Sequence, residues 1–287
     1  MPVIQYKDEL QTVLKEKRNE NHTIGFVPTM GALHKGHISL VRKALLENKV
    51  VVVSIFVNPT QFDNSNDLEK YPRSLNEDEM LLQNISKDIL IFAPTENEMY
   101  SGEVTSKKYN FEGLEKVMEG SFRKGHFDGV ATIVELLLKA VAPDRAYFGE
   151  KDFQQLQIIK KLVAIENIPV EIIPCSILRE ENGLAMSSRN QRLSIEVRNE
   201  AGIIYSVLKT VKSEFGMKSV KNIKDWVHTQ FKKNPMFQLE YFEITDVETL
   251  NPVLKKQKLK KQKLKKYRAF ISVYANDVRL IDNIALN

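Results

Sequence analysis

Two histidines three positions apart, His34 and His37, are the residues of this chain best suited to chemistry, and they fall inside Pro28-Thr-Met-Gly-Ala-Leu-His-Lys-Gly-His37. That segment follows directly on the first predicted strand and opens the first predicted helix. In an open parallel sheet, ligands bind beyond the carboxyl ends of strands, and a helix start there offers N–H groups to an anion. Gly31 and Gly36 permit a phosphate to approach the backbone, while imidazoles donate to its oxygens and stabilise charge growing on a departing pyrophosphate. The same histidines also fit a plain capping role on the helix's first turn. A metal site would want a further ligand, and no Cys, Asp or Glu lies between them.

Three other segments carry polar turns of the same kind. Phe56-Val-Asn-Pro-Thr-Gln-Phe62 ends the second predicted strand, with Asn58 and Gln61 as neutral hydrogen-bonders suited to hydroxyls and a carboxylate, and Pro59 stiffening the turn. Tyr147-Phe-Gly-Glu-Lys-Asp-Phe-Gln-Gln155 places Gly149, Lys151, Asp152 and Gln155 just before a helix. Lys151 is a point charge for phosphate and Asp152 an acceptor for ribose hydroxyls, although a salt-bridged helix start with Asp152 as its cap explains either one alone. Met186-Ser-Ser-Arg-Asn190 puts Ser187, Ser188 and Arg189 in the loop joining two predicted domains, where a flap could close on a triphosphate.

The elements that must hold these segments are legible as an alternation. Short β-branched runs at 23–27, 50–57, 88–93, 144–148 and 170–174 predict strands, separated by amphipathic stretches, as in βαβ units on a parallel sheet. Ile38, Val41 and Leu45 mark one helix; Ser74 and Glu77 read as a capping box before Met80 and Leu81. Val130, Ile133, Val134, Leu137, Leu138 and Val141 mark another, as do Phe153, Leu156, Ile159 and Leu162. After Pro174 the pattern changes to helices near 194–213 and 219–233 and strands near 239–246, 267–275 and 278–281. The expectation is an α/β parallel-sheet domain over 1–175 and a smaller α+β domain over 176–287.

Composition bounds the function classes. A chain of 287 residues, 43% hydrophobic and 28% charged, buries a core and is neither disordered nor a disulfide miniprotein. The longest apolar run, Val50 to Val57, is far short of the roughly 18–20 residues of a membrane span. No secretion signal is read at the start of the chain, and the single cysteine, Cys175, suits a reducing compartment, so the cytoplasm is expected. The net charge of +5 depends on eight lysines between Lys255 and Lys266, a run that overlaps a tandem Leu-Lys-Lys-Gln-Lys duplication at 254–258 and 259–263. That run contains no aromatics for stacking on bases and reads as a solvated hairpin or loop, so nucleic acid is not the expected partner.

Taken in order, PTMGALHKGH, FVNPTQF, YPR at 71–73, GHFDGV at 125–130, PDRAYFGEKDFQQL at 143–156 and GLAMSSRN at 183–190 resemble the pantothenate synthetase (pantoate–β-alanine ligase) family, with EYFEI at 240–244 and RLIDN at 279–283 extending the likeness. The resemblance covers nearly the whole chain. It implies a Rossmann-like first domain over 1–175 and a HIGH-type, adenylate-forming ligase that joins pantoate to ATP, releases pyrophosphate, and lets β-alanine displace AMP, with Mg2+ on the phosphates. It implies ATP contacts at Met30, Gly31, Ala32, Leu33, His34, Lys35, Gly36 and His37, at Gly149, Glu150, Lys151 and Asp152, at the main chain near Leu178, and at Met186, Ser187, Ser188 and Arg189. His37, His34 and Lys151 are the implied catalytic residues, with His37 as proton donor to the leaving group. Gln61 and Gln155 would grip pantoate, with Asn58 and Tyr71 bordering it, and Arg123 would meet phosphate. The resemblance also implies a homodimer and a second domain acting as a lid. It leaves the metal ligands unknown.

Lys124 stands where the family commonly has proline, and Asn276-Asp277-Val278 where it has Gly-x-Thr. The alternative enzyme is a nucleotidyltransferase acting on a phosphorylated acceptor, for which Arg or Lys would be expected in place of Gln61 and Gln155.

Overall fold

The computed structural model describes residues 3–62, 65–100, 102–254 and 265–287, with residues 65 and 66 by backbone alone. The chain forms two compact units, Met1–Glu150 with Gln155–Ser176, and Lys151–Gln154 with Ile177–Asn287. The predicted hairpin or loop over 255–264 lies outside the described residues.

In the first unit, strands β1 (Ile24–Thr29), β2 (Val50–Ile55), β3 (Ile89–Phe92), β4 (Arg145–Gly149) and β5 (Glu171–Cys175) form one parallel sheet in the order β3-β2-β1-β4-β5. The uninterrupted Val50-Val-Val-Val53 and Ile24 to Val27 are buried, as strands covered on both faces require. Helix α1 (Lys7–Asn19) precedes β1, and α2 (Lys35–Glu47), α3 (Ser65–Glu69), α4 (Leu75–Gln83), α5 (Glu96–Tyr100), α6 (Glu119–Phe122), α7 (His126–Val141) and α8 (Phe153–Ile165) lie in the connections between strands. Val41 and Ala44 of α2 pack with Val51, Val53, Leu82 and Ile91. The predicted apolar positions of α7, from Val130 to Val141, are all buried.

The chain winds outward from β1 through β2 to β3, and then returns to place β4 on the other side of β1. Strand order therefore reverses between β1 and β4. The registers Gly25–Arg145 and Phe26–Ala146 bring their carboxyl ends side by side, at the switch point where such sheets bind ligands.

The second unit carries a three-stranded antiparallel sheet, β6 (Gln238–Asp246), β7 (Tyr267–Ala275) and β8 (Val278–Ala285), in the order β6-β7-β8. Its core joins Ile244, Ile271, Val273 and Leu280 of the sheet to Leu208, Val211 and Val227 of the helices. The β7–β8 turn is Asn276-Asp277, and Asn276 takes the positive φ of 55° that tight hairpin turns need. Asparagine serves there without glycine because its short side chain tolerates the left-handed region.

Two local expectations are corrected. The helix predicted near 194–213 is two helices, α9 (Ile195–Glu200) and α10 (Ile203–Glu214), followed by α11 (Val220–Lys232). Asn182 donates through Nδ2 to the carbonyls of Arg198 and Asn199, at 2.7 and 3.0 Å, which engages the acceptors a continuous helix would offer to residues 202 and 203. The capping box at Ser74 and Glu77 does not form, since Ser74 makes no side-chain cap and instead hydrogen-bonds the Asp78 carboxyl.

Candidate active site

The loop that leaves β1 is built by hydrogen bonds that lock it onto neighbouring elements of the first unit. Thr29 Oγ1 donates to the Ser54 carbonyl at 2.7 Å and accepts from the Gly31 amide at 3.2 Å. Gly31 and Ala32 then adopt positive φ values of 80° and 48°. The Ala32 and Leu33 amides donate to the two carboxylate oxygens of Asp78, at 2.8 and 2.7 Å. Burial pushes the Asp78 carboxyl above its ordinary range, while these amides and Ser74 pull the other way.

Both histidines serve as caps of α2. His34 is the N-cap residue in extended backbone, and its Nδ1 accepts from the Gly36 amide at 3.1 Å; His37 Nδ1 accepts from the His34 amide at 3.4 Å. This is a reciprocal capping box made by imidazoles. An Nδ1 that accepts from an amide places the ring hydrogen on Nε2, so each neutral imidazole carries an Nε2–H donor. The rings lie 4.0 Å apart between centroids at 31°. The capping reading and the phosphate reading of these residues are therefore compatible, because capping uses Nδ1 and donation to a phosphate oxygen uses Nε2. Lys35 is exposed and Gly36 half-buried at the same helix start.

At the end of β2, a 3-10 turn over Pro59–Gln61 holds Gln61 half-buried with its Nε2 against the Met30 sulfur. Asn58 is 1% exposed, and its amide ties the turn down. Nδ2 donates to the Gly129 carbonyl at 3.1 Å, and Oδ1 accepts from Thr60 at 3.2 Å and from Tyr100. The Gln61 carbonyl is held by His126 Nδ1 at 2.7 Å and by Arg123 Nη2 at 3.4 Å. Arg123, expected at phosphate, also meets His126 Nε2 at 2.9 Å. Gly129 has no Cβ because one would overlap the Thr60 carbonyl oxygen. The GHFDGV motif is thus the seat of the Gln61 turn. Tyr71 is buried edge-on to Phe62 at 5.7 Å between centroids.

At the end of β4, Gly149 and the 3-10 turn Glu150–Asp152 lead into α8, whose first turn carries the half-buried Gln155. The first-unit residues Met30 to His37, Gln61 and Gly149 to Glu150 all stem from carboxyl ends of adjacent parallel strands.

The remaining predicted residues belong to the second unit. Lys151, 17% exposed at its side chain, lies 3.5 Å from the exposed Asp152. The Lys151 carbonyl accepts from Asn283 Nδ2 at 2.8 Å; Asn283 Oδ1 accepts from Arg268, whose guanidinium stacks 3.9 Å over the Phe153 ring. Leu178 is exposed and its carbonyl accepts from Met186 N at 3.0 Å. Ser187 caps the 3-10 turn Ser188–Arg192 by accepting from the Arg189 amide at 3.3 Å. Asn190 pins the same turn to Glu180 and to the Ala185 carbonyl, at 2.8 and 3.0 Å.

His126 and Asn283 escape sequence reasoning as site residues, and Asp78 reads there as a helix-start acid with a capping role. A signal exists for Asp78, an acid one turn before Leu82 on the buried face of α4. Among the described residues, no group of three or more His, Cys, Asp or Glu is placed to hold a metal ion, and no helix is long and apolar enough to cross a membrane.

A family model described as pantoate-beta-alanine ligase matches residues 2–285. A pantothenate synthetase of Christiangramia forsetii is 54% identical over 287 residues, with 100% of both chains covered. One of Flavobacterium psychrophilum is 50% identical over 286 residues, with the same coverage. The crystal structure of pantothenate synthetase from Thermus thermophilus is similar at a TM-score of 0.89 and 38% identity, covering 100% of this chain and 99% of that one. The pantoate-beta-alanine ligase of Francisella tularensis, crystallised with beta-gamma ATP and beta-alanine, is similar at a TM-score of 0.78 and 36% identity, covering 100% and 98%.

Proposed function

The chain belongs to the pantoate-beta-alanine ligase family, and from that premise we propose that it condenses pantoate with β-alanine in two steps through a pantoyl adenylate. In the first, a pantoate carboxylate oxygen attacks the α-phosphorus of ATP, the bond to the bridging oxygen of the β-phosphate breaks, and pyrophosphate leaves. In the second, the neutral amine of β-alanine attacks the acyl carbon, the bond to AMP breaks, and the nitrogen loses a proton to solvent. A free carboxylate is a poor acyl donor; the mixed anhydride has a phosphate monoester as its leaving group. No covalent enzyme nucleophile is needed, so the chain's task is positioning and charge stabilisation.

The observation that carries this reading is the histidine capping box at the β1–β4 switch point, where capping through Nδ1 fixes two Nε2–H donors as a pair suited to phosphate oxygens. We assign His34 and His37 to the phosphates, with His37 donating a hydrogen bond from Nε2 to the leaving pyrophosphate, and the Lys151 ammonium to charge stabilisation. Gln61 and Gln155 hold pantoate, which as a hydroxy acid without phosphate calls for amides rather than the arginines a phosphorylated acceptor would need. The assignments of Leu178 and Met186 to Arg189 to the nucleotide rest on the family motif. Mg2+ would enter with ATP and take its oxygens chiefly from phosphates and water. We further propose a homodimer working in the cytoplasm, on the family likeness and a single, buried cysteine.

The test is isotope exchange between pyrophosphate and ATP with β-alanine withheld. Pantoate-dependent exchange that is lost in His37→Ala is the expected result. A folded, ATP-binding preparation with no exchange in the presence of pantoate would sink the adenylate and favour transfer of a nucleotide to a different acceptor.

A further inference from the structure

The turn that presents the histidines is one an alanine does not hold by itself. Gly31 and Ala32 are both in the left-handed region, and an L-residue there costs about 1–2 kcal/mol. What holds the turn is a side chain from another element, 46 residues along the chain from Ala32. Asp78 accepts the Ala32 amide on Oδ2 and the Leu33 amide on Oδ1, so one carboxylate fixes two successive peptide planes. It is 2% exposed. Its own placement is fixed by the start of α4, where the Asp78 amide donates to the Ser74 carbonyl at 2.8 Å and the Ser74 side chain hydrogen-bonds the carboxyl. Gly31 is what admits it, since a Cβ there would lie 2.9 Å from Asp78 Oδ2 and 3.1 Å from Ile55 Cγ2.

We propose that Asp78 is a positioning residue for the nucleotide: by clamping the Ala32 and Leu33 amides it sets the turn from which His34 and His37 reach the phosphates. This rests on the reading that residues 30–37 hold ATP. The clamp also explains why the histidines are needed. The amides of Gly31, Ala32, Leu33, His34 and Gly36 all go to acceptors within the protein. With those five amides engaged, the imidazoles add donors to the loop, and their geometry depends on the turn that Asp78 closes.

Asp78→Asn is the discriminating variant, because it keeps the shape and one acceptor but turns an NH2 toward the second amide, donor against donor. Loss of one hydrogen bond to a charged acceptor should raise the KM for ATP in pantoate-dependent pyrophosphate exchange about tenfold or more, with the KM for pantoate little changed. A merely structural role would lower the melting temperature and the active fraction and leave the KM for ATP alone. Should Asp78→Asn fail to fold, Ser74→Ala leaves the clamp in place but loosens it, and a smaller rise in the same KM is expected. An unchanged KM for ATP in whichever of these variants folds overturns the proposal. His37→Ala, run alongside, separates the two levels: if it too leaves exchange intact, the reading of the loop falls and the proposal with it; if it abolishes exchange while Asp78→Asn does not alter the KM, only the proposal falls.

Discussion

Asn283 on β8 holds the main-chain carbonyl of Lys151 at 2.8 Å across 132 residues of sequence. The same amide accepts from Arg268, which is stacked on the Phe153 ring, so both flanks of the Lys151 turn are gripped by the β7–β8 hairpin. The RLIDN segment, in the sequence no more than a likeness near the chain's end, is a support for the candidate catalytic lysine.

Replacing Asn283 by Leu takes a hydrogen-bond partner from the part-buried Lys151 carbonyl and from the buried Arg268 guanidinium, at a cost of about 1–3 kcal/mol. If the lost support acts on Lys151, kcat falls while the KM for β-alanine holds. In a Lys151→Ala background the Asn283 substitution then adds little. A double-mutant cycle with fully additive losses would separate the two residues.

Gly129→Ala should be severe although Gly129 meets the candidate site only through its carbonyl, which holds Asn58. The new Cβ would overlap the Thr60 carbonyl and push apart α7 and the Pro59–Gln61 turn. Overpacking of this kind costs about 1–3 kcal/mol. The expected signature is a lowered melting temperature together with a raised KM for pantoate, because Gln61 rides on the displaced turn. A stable variant with an unaltered pantoate KM would break that link.

Glu135 predicts how the first unit responds to acid. Its side chain is 0% exposed, and burial alone would raise its pKa, but Lys107 at 2.9 Å, Lys139 and the Tyr109 hydroxyl outweigh burial and bring it down to about 2. A carboxyl depressed on folding contributes stability that is complete above its unfolded value and is lost as pH falls through the folded one. Chemical denaturation of the wild type should thus weaken between about pH 4.5 and 2, by an amount on the order of 3 kcal/mol for this group. Glu135→Gln should be less stable at neutral pH and should show a shallower decline in that window; parallel profiles would refute the assignment.

Cys175 should be inert. Burial pushes its thiol up to about 11, with Lys43 opposing and Glu47 and Glu150 adding to the rise, so roughly one molecule in ten thousand is thiolate near neutral pH. Alkylating reagents should leave the native protein unmodified and active on the time scale of denatured-state labelling, and Cys175→Ala should retain turnover. Rapid inactivation by such reagents would mean that the thiol is exposed during the catalytic cycle.

The parallel sheet is readable because each of its strands is a short apolar run with a local signal, and the histidine loop because its residues are contiguous. What escapes depends on contacts between distant positions. Asp78 sits in a run of acids that resembles any helix start, and only the fold brings it to Ala32 and Leu33, 46 and 45 residues away. The break between α9 and α10 has the same origin, since the apolar spacing continues through Gly202 and only Asn182, from an earlier loop, takes the carbonyls. His126 is visible as part of a motif, but its job, a bond to the Gln61 carbonyl, emerges only when α7 lies against the β2 turn.

The chain changes units three times, because residues 151–154 belong with Ile177–Asn287 although they lie between stretches of the first unit. A chimera of two family members joined near residue 176 would therefore inherit a mixed second unit, with the Lys151 turn from one parent and its Asn283–Arg268 support from the other. Recombination at that joint is expected to succeed only between parents whose GEKDF and RLIDN segments are already matched, so these two stretches form one heritable block although they lie far apart in the chain.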